Sequence, residues 1–417
     1  MAATSSSSTN GDNTDRISRS SSSKKKQKVS RRRPDLPLEV TEKILCCISL
    51  LESARLATVC KSWASTVSAR LTIPHIFLYT PRDDANSDRC GHIVSVALDG
   101  TIGAAARHPP LSATVRSRVR SEDTKGLQCI GATPSGRLAF KNWWSLRLPL
   151  VNPVTGAVSE DIRIRQQRRV VVVAGGRRDS FLSSKDDNKL VLNWQDGAGR
   201  RWTSQTLRTA PARQIDKIVS VASCNGCFYA LHKNGDVWKI DDTVPGPLVI
   251  DETVPAVEGL IDDDDQHFVP RATYLTNGHL LESDGEVLFV RRLLIVSKEV
   301  ACPFCNHSLF DSVNVGFEVY RLDAKDRRWD KVGKLAGDRA LFVSPASSFA
   351  VRASEMVGCM SNCVYFIKKK RYCSLCEADE GNTWGVYSME ERKVLFEYVF
   401  TEPGSCSAAM WFVPSVV

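Results

Sequence analysis

The stretch Ile218-Val-Ser-Val-Ala-Ser-Cys-Asn-Gly-Cys-Phe-Tyr-Ala-Leu-His-Lys-Asn-Gly-Asp-Val-Trp-Lys-Ile240 reads as strand, turn, strand, turn, strand. Its apolar residues fall at every second position, the period of a pleated strand with one face turned inward. Each Asn-Gly marks a tight hairpin turn, because glycine and asparagine tolerate the positive φ such turns need. Cys224 and Cys227 flank the first turn and read as small core residues rather than a redox pair, since no helix N-terminus follows a strand there. The same alternation recurs on both sides, at His92–Ala97, Leu127–Ala132, Val170–Ala174, Leu190–Trp194, Val237–Ile240, Glu286–Arg291, Phe317–Leu322 and Cys363–Ile367. Turn signals at 134–136, 233–236 and 283–285 separate these segments. No long amphipathic helix lies between them, which argues against a parallel α/β sheet.

A faint repeat favours a propeller over a sandwich. The layout of 218–240 returns in Met356–Phe366 followed by Thr383–Tyr387. Gly199-Arg-Arg-Trp202 and Asp326-Arg-Arg-Trp329 read as one corner of two different blades. About 340 residues at roughly 45 per blade predict six to eight blades over 76–417.

Residues 1–33 have another character. They hold nine Lys or Arg against two Asp, +7 of the chain's formal +9, so the other 384 residues are nearly neutral. A basic tail on a neutral body argues against a nucleic-acid channel across the folded part. The segment is too polar to offset its ordering entropy and is expected to be disordered. Lys24, Lys25, Lys26 and Lys28, then Arg31, Arg32 and Arg33, form two basic clusters that resemble a nuclear import signal and predict a nuclear location, with a cytoplasmic pool allowed. The opening residues hold no apolar core of a secretory signal, and no run of about 18 apolar residues predicts a membrane span. The 14 cysteines then read as free thiols in a reducing compartment.

Residues 34–75 read as three short helices. Pro37 suits an early helical position, and Glu39 and Glu42 favour the N-terminal end of a helix dipole. Val40, Ile44, Leu45 and Ile48 recur at helical spacing. Ser53 is placed as the N-cap of a second helix carrying Leu56 and Val59, and a third runs from Trp63 through Val67 to Leu71. Forty residues of helix bury too little to stand alone, so apolar surface is left over for a partner or for the following domain. The whole is an α+β multi-domain chain: tail 1–33, helical module 34–75, all-β domain 76–417.

Leu36-Pro37-x-Glu39-Val40, then Ile44-Leu45, then Leu56-x-x-Val59-Cys60-Lys61-x-Trp63, resembles the F-box, the module that docks on the Skp adaptor of SCF ubiquitin ligases. The resemblance implies an adaptor-binding face made of Leu36, Pro37, Val40, Ile44, Leu45 and Val59, with Trp63 packing the three helices together. It departs from the family pattern before the second helix, where Ile48-Ser-Leu-Leu-Glu-Ser53 replaces the usual Arg-Leu-Pro and Asp cap. The β domain is similar to the KIB or SKIP-type plant F-box proteins. The carrying residues are Asn152-Pro-Val-Thr-Gly156, Phe317-Glu-Val-Tyr-Arg-Leu322 with Trp329, Asp338-Arg-Ala-Leu-Phe-Val343, and Gly358-Cys-Met-Ser-Asn-Cys-Val-Tyr-Phe366.

The resemblance implies a non-enzymatic substrate adaptor, partnered by a Skp-family protein and through it by cullin and RING subunits, with an unidentified protein target. The alternative is a nuclear scaffold using its basic tail on nucleic acid or acidic partners. Cys302, Cys305, Cys373 and Cys376 form the best zinc candidate, but 71 residues is a long separation for a zinc ribbon, and no metal is predicted. Asp262–Asp265 lacks the alternating ligand spacing of a calcium loop, and Arg163–Arg169 with Arg177 and Arg178 read as a solvent face. No phosphate loop, nucleophile elbow or His-Glu-x-x-His is present, so no catalytic residue, cofactor or membrane partner is expected.

Overall fold

The computed structural model describes residues 36–46, 48, 53, 56–57, 63–67, 73–79, 90–96, 98, 111–120, 124, 127–141, 147–159, 162–163, 171–174, 179–186, 189–195, 202–208, 218–232, 237–241, 250–254, 278–301, 308–323, 325–356, 358–369, 382–400 and 408–415. The chain divides into two units, 1–37 and 38–417. Of the first, Leu36 and Pro37 are described, and both are exposed.

The second unit is built almost wholly of antiparallel sheets. One sheet orders Ala408–Phe412, His75–Tyr79, His92–Val96 and Leu111–Arg116. A second joins Gln128–Ala132, Leu138–Lys141 and Leu150–Val151, beside a short pair, Arg147–Leu148 with Ile162–Arg163. The third runs Val171–Val173, Ser180–Asp186, Lys189–Gln195, Trp202–Arg208, and the fourth Ile218–Cys224, Cys227–His232, Val237–Asp241, Ile250–Val254. The fifth holds Gly278–Ser283, Glu286–Ala301, Ser308–Asp323 and Arg328–Val332. The sixth orders Ser347–Arg352, Arg339–Ser344, Cys363–Lys369, Asn382–Ser388 and Lys393–Val399. Only Arg339–Ser344 and Cys363–Lys369 pair in parallel among the described strands.

Each sheet presents one strand to its neighbours. Ala408–Phe412 lies against Gln128–Ala132, that strand against Val171–Val173, and that in turn against Ile218–Cys224. Ile218–Cys224 meets Gly278–Ser283, which meets Ser347–Arg352, which returns to Ala408–Phe412. The sheets therefore stack around a centre like propeller blades, and core clusters form where blade faces meet. Asn382–Ser388, buried along its whole length, lies between such faces. Beside it Phe342 stacks on Tyr365 at 4.5 Å, with Trp411 edge-on to Phe342 at 5.0 Å.

Specific bonds stitch the neighbouring sheets. Buried Asp179 accepts from Ser135 N–H (2.9 Å) and Ser135 Oγ–H (2.5 Å), with Arg137 3.9 Å away. Leu280 N–H donates to Ser220 Oγ at 2.9 Å, and Trp411 N–H to Ser344 Oγ at 3.2 Å. Asn225-Gly226 and Asp284-Gly285 both adopt two successive positive φ values, the turn their sequences predict. The two tips meet, because Asn225 Nδ2 donates to the Gly285 carbonyl at 2.8 Å. Trp202 and Trp329 do occupy equivalent corners. Each stands at the start of an outermost strand and packs on an aromatic two strands inward, Phe181 at 5.4 Å and Phe289 at 5.7 Å.

The helical module differs from its expectation. Among the described residues the complete helices are two short ones, Leu38–Cys46 and the 3₁₀ turn Ala353–Glu355 in the β domain, not a three-helix bundle. The second and third helical stretches are represented by Ser53, Leu56 and 63–67, where Ala57 N–H donates to the Ser53 carbonyl at 3.1 Å. Ser53 is itself helical and buried, and its hydroxyl has no partner among the described residues, so it does not act as the cap. Trp63 packs beyond the helical stretches as well. With Val67 it joins Phe77, Tyr79, Val119 and Phe140 in the cluster between the first two sheets, and Ile48, Leu56 and Ala57 pack onto the same cluster. A module too small to hold a core spends its inner apolar face on the β domain.

Candidate functional site

Two surfaces stand apart from the packed core. The first is the outward side of the helix Leu38–Cys46. Its sequence obeys the dipole, with Glu39 in the first turn and Lys43 in the last. Thr41 is buried at 4% exposure, which fixes the inward side. Val40 and Ile44, one turn apart and so on one face, are 41% and 37% exposed. Leu36, in the first unit, is 48% exposed. Five large hydrophobic side chains are exposed among the described residues, and three of them fall between positions 36 and 44. Apolar side chains concentrated outside a core mark an interface.

Other residues assigned from the sequence divide by position. Pro37 is exposed and Leu45 lies within the helix. Val59, the basic clusters at Lys24–Lys28 and Arg31–Arg33, the acidic run 262–265 and all four candidate zinc ligands, Cys302, Cys305, Cys373 and Cys376, lie outside the described residues. Of the arginine-rich 163–169 stretch, only Arg163 is described, as the end of a short strand. Among the described residues no group of three His, Cys, Asp or Glu could hold a metal, and no helix is long and apolar enough to cross a membrane. Cys224 and Cys227 face each other across the hairpin and pack into the cluster between the fourth and fifth sheets, as expected of core thiols.

The second surface is a cavity of about 600 Å³ where the six inward strands converge. Sequence patterning gave no sign of it, because its wall is assembled from short stretches of six sheets far apart in the chain. The nearest cue is the run Ser344-Pro-Ala-Ser-Ser348, which is poor in bulky side chains. Small residues let backbones approach. A Cβ on Gly131 would stand 2.7 Å from the Ala346 carbonyl oxygen. His279 lines the cavity, and its Nδ1 shares a hydrogen bond with Ser348 Oγ at 3.2 Å. Burial and then the nearby Arg292 guanidinium push His279 down to about 4, so its ring is neutral at physiological pH. Cys129 is also on the wall, 3.9 Å from Met410 Sδ. Burial pushes its thiol up to about 12, which makes it a poor nucleophile.

With this geometry in hand, similarity to known proteins is informative. A family model for the F-box domain matches residues 34–71, and a model for the KIB1-4 beta-propeller matches residues 108–388. An F-box protein of Arabidopsis thaliana is 26% identical over 191 residues, 46% of this chain and 50% of that protein. Another protein of the same plant, also named as an F-box protein, is 39% identical over 200 residues, 47% of each chain. The chain thus spans about half the length of these curated relatives. Among solved structures, the beta-propeller domain of Myceliophteria thermophila Cps50 aligns at a TM-score of 0.33 and 10% identity over 70% of this chain and 96% of that one. An alignment at that level adds nothing about the fold. The matched propeller model alone covers more than half the sequence, and the F-box match precedes it on the helix that keeps Val40 and Ile44 in solvent: this is a plant F-box protein, and it belongs to the KIB1-4 beta-propeller family.

Proposed function

We propose that this protein is the substrate-choosing subunit of an SCF-type ubiquitin ligase. F-box proteins generally act as such adaptors, and F-box domains generally bind Skp-like partners. In this reading Leu36, Pro37, Val40, Ile44, Leu45 and Val59 dock the Skp-family adaptor, which brings the cullin and RING subunits, and the β domain captures the target protein. Transfer chemistry belongs to those partners. The chain's own contribution is proximity, which raises the target's effective concentration beside the charged ubiquitin.

The observation that carries the reading is the division of the helical module into two sides. Trp63 and Val67 are committed to the β core, whereas Val40 and Ile44 remain in solvent. A packing element has no use for the second side, and a docking element requires it. The return of the inward strands to Ala408–Phe412 supports a count of six blades. The basic clusters at 24–33 support nuclear import, and deleting 1–33 should then relocate a fluorescent fusion to the cytoplasm.

The direct test is co-precipitation of a Skp-family adaptor with the full chain and with Ile44→Asp. A carboxylate on that face would have to be buried unpaired, so adaptor recovery should fall to background. Undiminished recovery with Ile44→Asp would remove the docking face from this helix.

A further inference from the structure

We propose that the central cavity is a binding site for an uncharged small organic molecule that carries at least one hydrogen-bonding group. The inference does not depend on the ligase reading. Its first support is size, because about 600 Å³ lies within the range that takes a drug-sized ligand. Its second is charge. Among the described residues the wall holds no Asp, Glu, Lys or Arg, although a quarter of the whole chain is charged. An ionic ligand would surrender its hydration there and meet no counter-ion among the described wall residues.

The third support is the pattern of uncommitted polar atoms. Most polar side chains on the wall are engaged in holding the sheets together. Ser220 Oγ takes the Leu280 N–H, Ser344 Oγ takes the Trp411 N–H and donates to the Ser347 carbonyl, and Ser348 Oγ is bonded to His279 Nδ1. His279 Nε2 and the Ser347 hydroxyl have no such engagement among the described residues, and they stand on adjacent sheets. The imidazole is neutral, so Nε2 either donates or accepts according to whether Ser348 gives or takes the proton at Nδ1. Ser347 likewise does either. The cavity thus offers these two adaptable hydrogen-bonding groups on a wall of mixed polar and apolar surface without charge among its described residues, which suits a hydroxyl, carbonyl or amide on a neutral scaffold. A cation would meet the same burial and, after it, the same field of Arg292 that keep the imidazole unprotonated.

A matched pair of fluorophores tests this on the full chain. N-phenyl-1-naphthylamine is uncharged and brightens on leaving water, and 8-anilinonaphthalene-1-sulfonate has the same aromatic body with a negative charge. The neutral probe should bind saturably, one per chain, and at least roughly tenfold more tightly than the sulfonate. Ser347→Trp, which fills the cavity, and Ser347→Asp, which charges its wall, should each weaken the neutral probe by roughly tenfold or more while the thermal midpoint stays within a few degrees of the parent. Absence of saturable binding, equal or tighter binding of the sulfonate, or an unchanged affinity in either folded variant would each overturn the proposal. Should neither variant fold, the stoichiometry and the ratio of the two probes on the unaltered chain decide the matter.

Discussion

Replacing the two sides of the helical module separately should produce two different losses. Trp63 is 9% exposed and sits among Val67, Phe77 and Phe140, so Trp63→Ala removes a large side chain from a core that cannot fully collapse. Such substitutions cost about 3–5 kcal/mol. Val40 and Ile44 are 41% and 37% exposed, so roughly two fifths of each side chain's transfer free energy remains to be gained on docking. Full burial of a Val or Ile is worth about 1.5–3 kcal/mol, which puts the pair's unrealised share at about 1–2 kcal/mol. Val40→Ala combined with Ile44→Ala should therefore weaken a purified Skp-family adaptor by roughly five- to thirtyfold in Kd, read by calorimetry. The same double variant should lower unfolding free energy in a urea melt by less than Trp63→Ala does, because both side chains are only partly buried. Trp63→Ala should put the urea midpoint far below the parent's. A Kd within twofold of the parent for the double variant would refute the partition, and so would a destabilisation by that variant equal to Trp63→Ala.

Three further substitutions test the β domain and the cavity. Asp179→Ala strips the acceptor from Ser135 and leaves Arg137 without its buried partner, and should lower unfolding free energy by about 3 kcal/mol in a urea melt. Gly131→Ala places a Cβ 2.7 Å from the Ala346 carbonyl oxygen, a backbone atom that cannot swing away, and should cost about 1–3 kcal/mol by the same measurement. His279, held down near 4 in the folded chain against an ordinary value of 6.5, contributes stability that is present above pH 6.5 and withdrawn as pH falls toward 4, because only the unfolded chain takes up the proton. Stability should then fall by up to about 1.4 kcal/mol per pH unit across that window, and His279→Gln should flatten the profile. An equal slope in both proteins would exclude His279 as its source.

The sequence made the strands legible because their signal is local. Alternation in Ile218–Cys224 and Glu286–Arg291, and paired positive-φ residues at Asn225-Gly226 and Asp284-Gly285, need no knowledge of partners. The matching tryptophans at 202 and 329 were legible for a similar reason, since each marks the same geometric corner. Position of Trp63 was not. Its helical spacing is satisfied equally by a three-helix core or by the β domain, and only the tertiary contacts with Phe77 and Phe140 choose. Ser53 failed as a cap because it lies within the helical turn with its hydroxyl unpartnered among the described residues, which residue type alone does not reveal. The cavity left little trace beyond the run 344–348, since His279 and Ser347 are distant in sequence and meet through the stacking of two sheets.

The pairing of Ala408–Phe412 with His75–Tyr79 has a consequence for biosynthesis. Its register joins His75 to Phe412, so a strand made early must wait for one translated 337 positions later, 75 to 412. At about 5–20 residues per second that interval is on the order of half a minute. Until then His75–Tyr79 has one unpaired edge, and such edges recruit foreign strands. A ribosome that stops short of codon 408 therefore releases a chain with a permanently open seam, a natural flag for chaperones and proteases.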